Sequence, residues 1–215
     1  MSLPEPITPQ RTPQGAQTAE RILDAAELLF SERGFEGTGL REVARAAGIR
    51  APSLYNHFPN KEALYAAVLE RAFQPLLRLL EAFQAGGDES YADPRLLEDV
   101  MGHLARHPNV SRLLHYELMA GGRRANAVLQ GWLGSMYHNG LAALADSPES
   151  GPWQTDELPR LLFTMANVFT GYFAVGPAYA GLLGGDPLAP ESIERQTRFL
   201  RKLWQVLWGT WKEEV

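Results

Sequence analysis

Apolar residues recur at helical spacing along almost the whole chain. In residues 18–33, TAERILDAAELLFSER, the positions Ile22, Ala25, Ala26, Leu29 and Phe30 form one stripe, and Gly34 supplies a C-terminal stop. Two short helical pieces follow, divided by Gly48. LREVARAAG sets Leu40, Val43, Ala44 and Ala47 inward, and APSLYNHF sets Leu54 and Phe58 inward. Asn60 has the side chain of an N-cap for a longer helix that opens KEALYAAVLERAF and should be interrupted near Pro75. Further helices are predicted over 94–106, 109–120, 124–145, 157–183 and 190–213. Their separators, AGGDES, HPN, AGGRR, DSPESGPWQTDE and GGDPLAPES, are rich in turn residues. No stretch alternates with the period of a half-buried strand, and there is no internal repeat. The pattern predicts an all-α fold of about nine helices.

The two short pieces and the glycine between them have the form of a helix-turn-helix, whose second helix enters the DNA major groove. Gly48 stands where the turn wants a positive φ, and Ala44 where the helices approach closely. With Leu54 and Phe58 inward, Ala51, Ser53, Tyr55, Asn56 and His57 are left on the outer surface. Small residues near the helix start let the backbone approach base edges. Ser53 and Asn56 can donate and accept, while Tyr55 and His57 can reach phosphate oxygens. Lys61 adds a cation at the start of the next helix, beside backbone N–H groups that favour phosphate.

Charge alters this picture in one place. The formal net charge is −5, against the basic footprint expected of a nucleic-acid binder. Between Arg41 and Lys61, however, Arg41, Arg45, Arg50 and Lys61 stand against Glu42 alone, a local excess of +3. That segment faces a polyanion. The chain has no Cys, which excludes a disulfide scaffold or a thiolate zinc site and is compatible with a reducing cytoplasm. The first 15 residues carry four prolines and no apolar run, so they read as a disordered arm and not as a signal peptide. Leu161 to Gly185 holds no charged residue, but Asn167, Gly171, Gly176 and Pro177 interrupt it. A helix buried in a subunit interface explains this stretch better than a membrane span.

At the same residues the chain resembles the TetR family of bacterial transcription repressors. The resemblance runs from about Thr18 to Leu69 and rests on RILDAAELLFSERGFEGT, LREVARAAGI and PSLYNHFPNKEAL, with Ala47, Gly48, Ser53, Leu54, Tyr55, Phe58 and Lys61 at the family's spacings. It implies an N-terminal three-helix DNA-binding domain over 16–64 and a C-terminal ligand-binding and dimerisation domain over 65–215, after an arm of residues 1–15. It also implies roles. Arg41 would reach a base or phosphate; Ala51, Pro52, Ser53 and Asn56 would sit at base edges; Tyr55, His57 and Lys61 would hold phosphates. Two positions depart from the family pattern. Gly39 replaces the usual Thr or Ser cap, and Arg50 stands where many members have Ser, gaining a phosphate contact and losing a cap.

The C-terminal half is apolar on more than one face of its last two helices. Phe169, Tyr172, Phe173, Leu200, Trp204 and Leu207 are the expected homodimer contacts, since a helix apolar most of the way round needs covering on most sides. Tyr116, Met119, Trp132, Met136, Tyr137 and Phe163 are the expected lining of a pocket for a small organic effector, apolar or aromatic in character. His103 and His107 have the four-residue spacing of two metal ligands, but Pro108 follows at once and each is more simply a helix-end cation. No metal and no cofactor are expected. Nor is an enzyme, since no nucleophile–base pair, phosphate loop or metal cluster is visible. The expectation is a cytoplasmic, ligand-responsive repressor that binds a palindromic operator as a homodimer. The alternative is a helical DNA-binding or protein-interaction module without an effector.

Overall fold

The computed structural model describes residues 13–85, 94–119, 134, 153–154 and 156–207. Every regular element among them is helical. The chain divides into two compact units, Met1–Tyr65 and Ala66–Val215.

In the first unit, α1 spans Pro13–Arg33. It begins five residues ahead of the expected Thr18, because a proline suits the first turn of a helix, where its missing N–H would have had no partner. Residues 13–15, read as the end of the arm, are therefore helical. Ile22, Ala26 and Phe30 are fully buried as the stripe requires, and Leu23 joins them while Ala25 and Leu29 stay half-exposed. Gly34 ends the helix at φ +69, a conformation that side chains resist. The Thr38 hydroxyl lies 2.9 Å from the Gly34 carbonyl and 3.1 Å from that of Leu29, tying the following turn to the helix end. Then come α2, Leu40–Ala46, and α3, Ala51–Tyr55. Phe30, Phe35 and Tyr65 close the core, with Tyr65 meeting the other two rings edge-on at 4.9 and 5.1 Å.

The next helix, α4, runs unbroken over Lys61–Ala85 with Pro75 inside it. The interruption expected near Pro75 does not occur. Proline's fixed φ is compatible with a helix, and it removes one backbone hydrogen bond. Ala72, Phe73 and Leu76 are buried on either side of it, at roughly 1.5–3 kcal/mol for each large apolar side chain, which offsets that loss.

In the second unit, α5 spans Pro94–Arg106 and α6 Pro108–Met119, with only His107 between them. Helix α7 covers Leu158–Val175 and α8 Pro190–Leu207. Helix α6 lies along α7, and α5 packs on α8, α7 and α6. The buried face of α5 is Leu96, Leu97, Val100, Met101, His103 and Leu104, and that of α7 includes Leu161, Met165, Phe169 and Phe173. Arg201 of α8 forms an exposed ion pair with Glu98 of α5. The indole of Trp153 donates to the Leu207 carbonyl at 2.7 Å.

The single helix expected over 157–183 breaks. After Val175 come a 3₁₀ turn, Gly176–Tyr179, and one α turn, Ala180–Leu183. Pro177 has no N–H to continue the α ladder. The Tyr172 hydroxyl donates to the Pro187 carbonyl at 2.7 Å, latching the loop that follows. Pro159–Leu183 has the length and apolarity of a membrane span by composition, yet its α-helical part stops at Val175 and is packed by α6 and α5. The predicted helix 124–145, Gly134 apart, and the end of the last helix, 208–213, lie outside the described residues.

Candidate nucleic-acid interface

Helix α2 starts at Gly39, whose extended backbone has no side chain to cap the helix. The missing hydroxyl is replaced from the other direction: Glu42 accepts from the Gly39 N–H at 3.1 Å, and its second oxygen pairs with Arg33 at 3.2 Å. The one carboxylate of the basic segment is thus engaged on its own scaffold. Its charge is partly offset before any DNA approaches.

The turn between α2 and α3 depends on Gly48 at φ +68. The Ile49 N–H reaches back to the Ala44 carbonyl at 2.9 Å, closing the end of α2. From α1, the Arg21 guanidinium donates to the Ala47 carbonyl and lies 3.5 Å from that of Gly48. A charged donor on two adjacent carbonyls fixes the turn, and through it the angle of α3. Sequence reasoning missed Arg21. On the helical pattern it is one polar residue among several, and nothing local says that its partner lies 26 residues ahead.

Helix α3 is capped by the extended backbone of Arg50, with Pro52 in its first turn. It stops at Tyr55, three residues short of the expected Phe58, because Pro59 disfavours helical geometry in the residue before it. Asn56 and His57 accordingly sit in the turn that follows. Leu54 is fully buried and Phe58 6% exposed, so both inward assignments hold. Arg41, Arg50, Pro52, Tyr55 and Asn56 are exposed; Ala51, Ser53, His57 and Lys61 are half-exposed. All nine expected DNA-facing residues therefore reach solvent, and all lie within the first unit. Asn60 accepts from the Ala63 N–H at 2.7 Å, capping α4 as expected. The Lys61 ammonium stands over the Phe35 ring, 4.3 Å from its centroid. It is positioned by an aromatic face as well as by a helix start.

The expected effector and dimer residues fare differently. Tyr116 and Met119 of α6 and Phe163 of α7 are exposed, Phe163 by 70%. Trp132, Met136 and Tyr137 lie outside the described residues. Of the expected dimer contacts, Phe169, Phe173, Leu200 and Trp204 are buried within a single chain, with the Phe169 and Trp204 rings 6.1 Å apart. They are already covered by the chain's own core. Tyr172 and Leu207 are half-buried. The apolar residues that α7 and α8 leave open are Phe163, Val175, Phe199 and Val206. His103, read as a helix-end cation, is buried instead. Burial first, then the nearby His107 and Arg106, push its pKa below the usual 6.5 and favour the neutral ring.

Three comparisons bear on this geometry. Residues 22–68 match the signature described as "Bacterial regulatory proteins, tetR family". Over 180 residues, 82% of each chain, the sequence is 32% identical to the HTH-type transcriptional regulator RutR of Escherichia coli O157:H7. It is 31% identical over 105 residues to the HTH-type transcriptional repressor NemR of Escherichia coli K12, covering 48% of this chain and 53% of that one. Among solved structures, a TetR-like transcriptional regulator from Rhodococcus sp. RHA1 superposes with a TM-score of 0.67 at 20% identity, over 97% of this chain and all of the other. A transcriptional regulator from Aquifex aeolicus gives 0.64 at 20% identity, over 88% and 99%. At that identity the structural likeness speaks to fold alone.

Proposed function

Because the chain belongs to the tetR family of bacterial regulatory proteins, and is a DNA-binding transcriptional regulator, we propose that it is a repressor that binds a two-fold symmetric operator as a homodimer and releases it on binding a small organic effector. The observation that carries this reading is the braced helix-turn-helix. An exposed face made of Arg41, Arg50, Ser53, Tyr55 and Asn56 stands on a turn clamped by Arg21, in a segment with an excess of +3 in a chain of −5. Ser53 and Asn56 read base edges; Arg41, Arg50, Tyr55, His57 and Lys61 hold phosphates. Such contacts give affinity through phosphate and sequence preference through bases.

Dimerisation is supported by what α7 and α8 leave uncovered. Phe199 and Val206 lie two turns apart on one line of α8, and Phe163 projects from α7. A Cβ built at Gly171 meets nothing within 4 Å, so another backbone has room to approach α7 there. A second copy covers these residues and sets two recognition helices about 34 Å apart, one turn of duplex. An effector then weakens DNA binding only by preferring the state in which that spacing is wrong.

The test is to incubate the purified protein with sheared DNA from its own genome and sequence what it retains. A recurring inverted repeat, bound by two copies per site in sedimentation, is the expected result. Retention without a shared sequence would refute the operator, and one copy per site would refute the dimer.

A further inference from the structure

We propose that His103 and Ser111 form the polar end of a small-molecule site in the Ala66–Val215 unit, one that takes an apolar organic body ending in an uncharged group that both donates and accepts a hydrogen bond, such as an amide or a hydroxyl. The inference rests on the effector reading above and gives its ligand a chemistry.

Two buried polar atoms in this unit have no hydrogen-bond partner, His103 Nε2 and Ser111 Oγ. His103 is 6% exposed and Ser111 not at all. Buried polar groups are nearly always satisfied, so two orphans in one place need an occupant. They are in one place by chain geometry. His103 precedes the junction residue His107 by four positions and Ser111 follows it by four, so each sits one helical turn from the same α5–α6 corner, on the buried face of its helix.

The Ser111 hydroxyl also departs from its neighbours' habit. Thr164, Thr170 and Thr197 each bond the carbonyl four residues back, the default for a hydroxyl in a helix. Ser111 does not, although its own carbonyl lies 2.9 Å from His115 Nδ1. The surrounding residues on these two helices, Val100, Leu104, Val110 and Leu114, are buried and apolar. They suit the body of the ligand.

The chemistry selects the head group. Burial, His107 and Arg106 hold the imidazole neutral, so it offers one donor and one acceptor, and a hydroxyl offers both. A cationic head would meet Arg106, and a carboxylate would require the ring to ionise in an apolar setting. A metal fits less well. The His103 and His107 rings are 4.8 Å apart, but among the described residues no group of three His, Cys, Asp or Glu side chains is poised to hold one.

The experiment titrates the full-length protein, with histidine side chains labelled in ¹⁵N, with benzamide, benzoate, benzylammonium and ethylbenzene. Benzamide is expected to shift the His103 Nε2 resonance and raise the melting temperature more than the other three. Ser111→Ala, which keeps the helix, should weaken benzamide at least ten-fold and leave ethylbenzene unchanged; His103→Phe should do the same. A His103 nitrogen bonded to a resident water that benzamide does not displace would overturn the proposal, as would equal benzamide affinity in wild type and Ser111→Ala. Release of retained genomic DNA is then screened with a compound library on both proteins. A compound that frees DNA equally from wild type and from Ser111→Ala would sink this site while leaving the effector reading intact.

Discussion

Lys61 shows how much a single position owes to its neighbours. Its ammonium is held over the Phe35 ring and beside the first N–H groups of α4, a place prepared for a phosphate. Lys61→Ala should weaken DNA binding about equally on all sequences and reduce the slope of log affinity against log salt by roughly one unit. Fluorescence anisotropy over a salt series measures this, and an unchanged slope would remove Lys61 from the DNA. Arg21 makes the opposite case. It touches carbonyls of the turn, so Arg21→Met should lower affinity for every sequence and leave the salt slope alone. Loss of a unit of slope would instead put its charge on phosphate. The sequence reveals Lys61 through its place at a helix start. It conceals Arg21, whose partners are main-chain atoms and carry no side-chain signature.

Whole elements obey the helical period more faithfully than their ends do. The cores of α1, α2, α5 and α6 fall where the apolar spacing puts them. Three boundaries or breaks move, each for a reason involving proline: α1 begins at Pro13, α4 continues through Pro75, and the helix after α6 stops ahead of Pro177. Within α7 and α8 the period shows that there is a buried face but not what covers it. Trp204 and Phe169, large and aromatic, pack on each other inside one chain. Trp204→Ala should therefore destabilise the chain by about 3–5 kcal/mol, as a core truncation does. Phe199→Glu, at a residue 60% exposed, should leave the folded chain's circular dichroism intact and give monomers in sedimentation. If Phe199→Glu stays dimeric while Trp204→Ala yields folded monomers, the assignment of core and interface is reversed.

For the molecule as a whole, pH reports on the buried corner of the second unit. His103 titrates below 6.5 when folded and near 6.5 when unfolded, so between those values the unfolded chain binds more protons. Stability from this residue is full above about 6.5 and falls as pH drops through that window. Thermal melts of wild type and His103→Gln should diverge there, with the wild type losing more as acid is added. Parallel curves would mean that His103 is as readily protonated folded as unfolded. The same residue, if it binds an uncharged ligand, should lose that ligand over the same window.

What the sequence decided by itself was whatever depends on neighbours within a turn or two: the helices, the turn glycine, the buried Leu54 and Phe58, the exposed cations of the recognition segment and the capping Asn60. These follow from local sterics and from a period that every residue shares with those three and four positions away. Tertiary structure decided what depends on partners far along the chain. It placed Arg21 on the α2–α3 turn and Lys61 over Phe35. It turned Phe169 and Trp204 from surface into core, and it left His103 and Ser111 buried without partners. An apolar face looks the same in sequence whether its own chain or a second copy covers it. A histidine, likewise, gives no sign of its charge until the chain has folded around it.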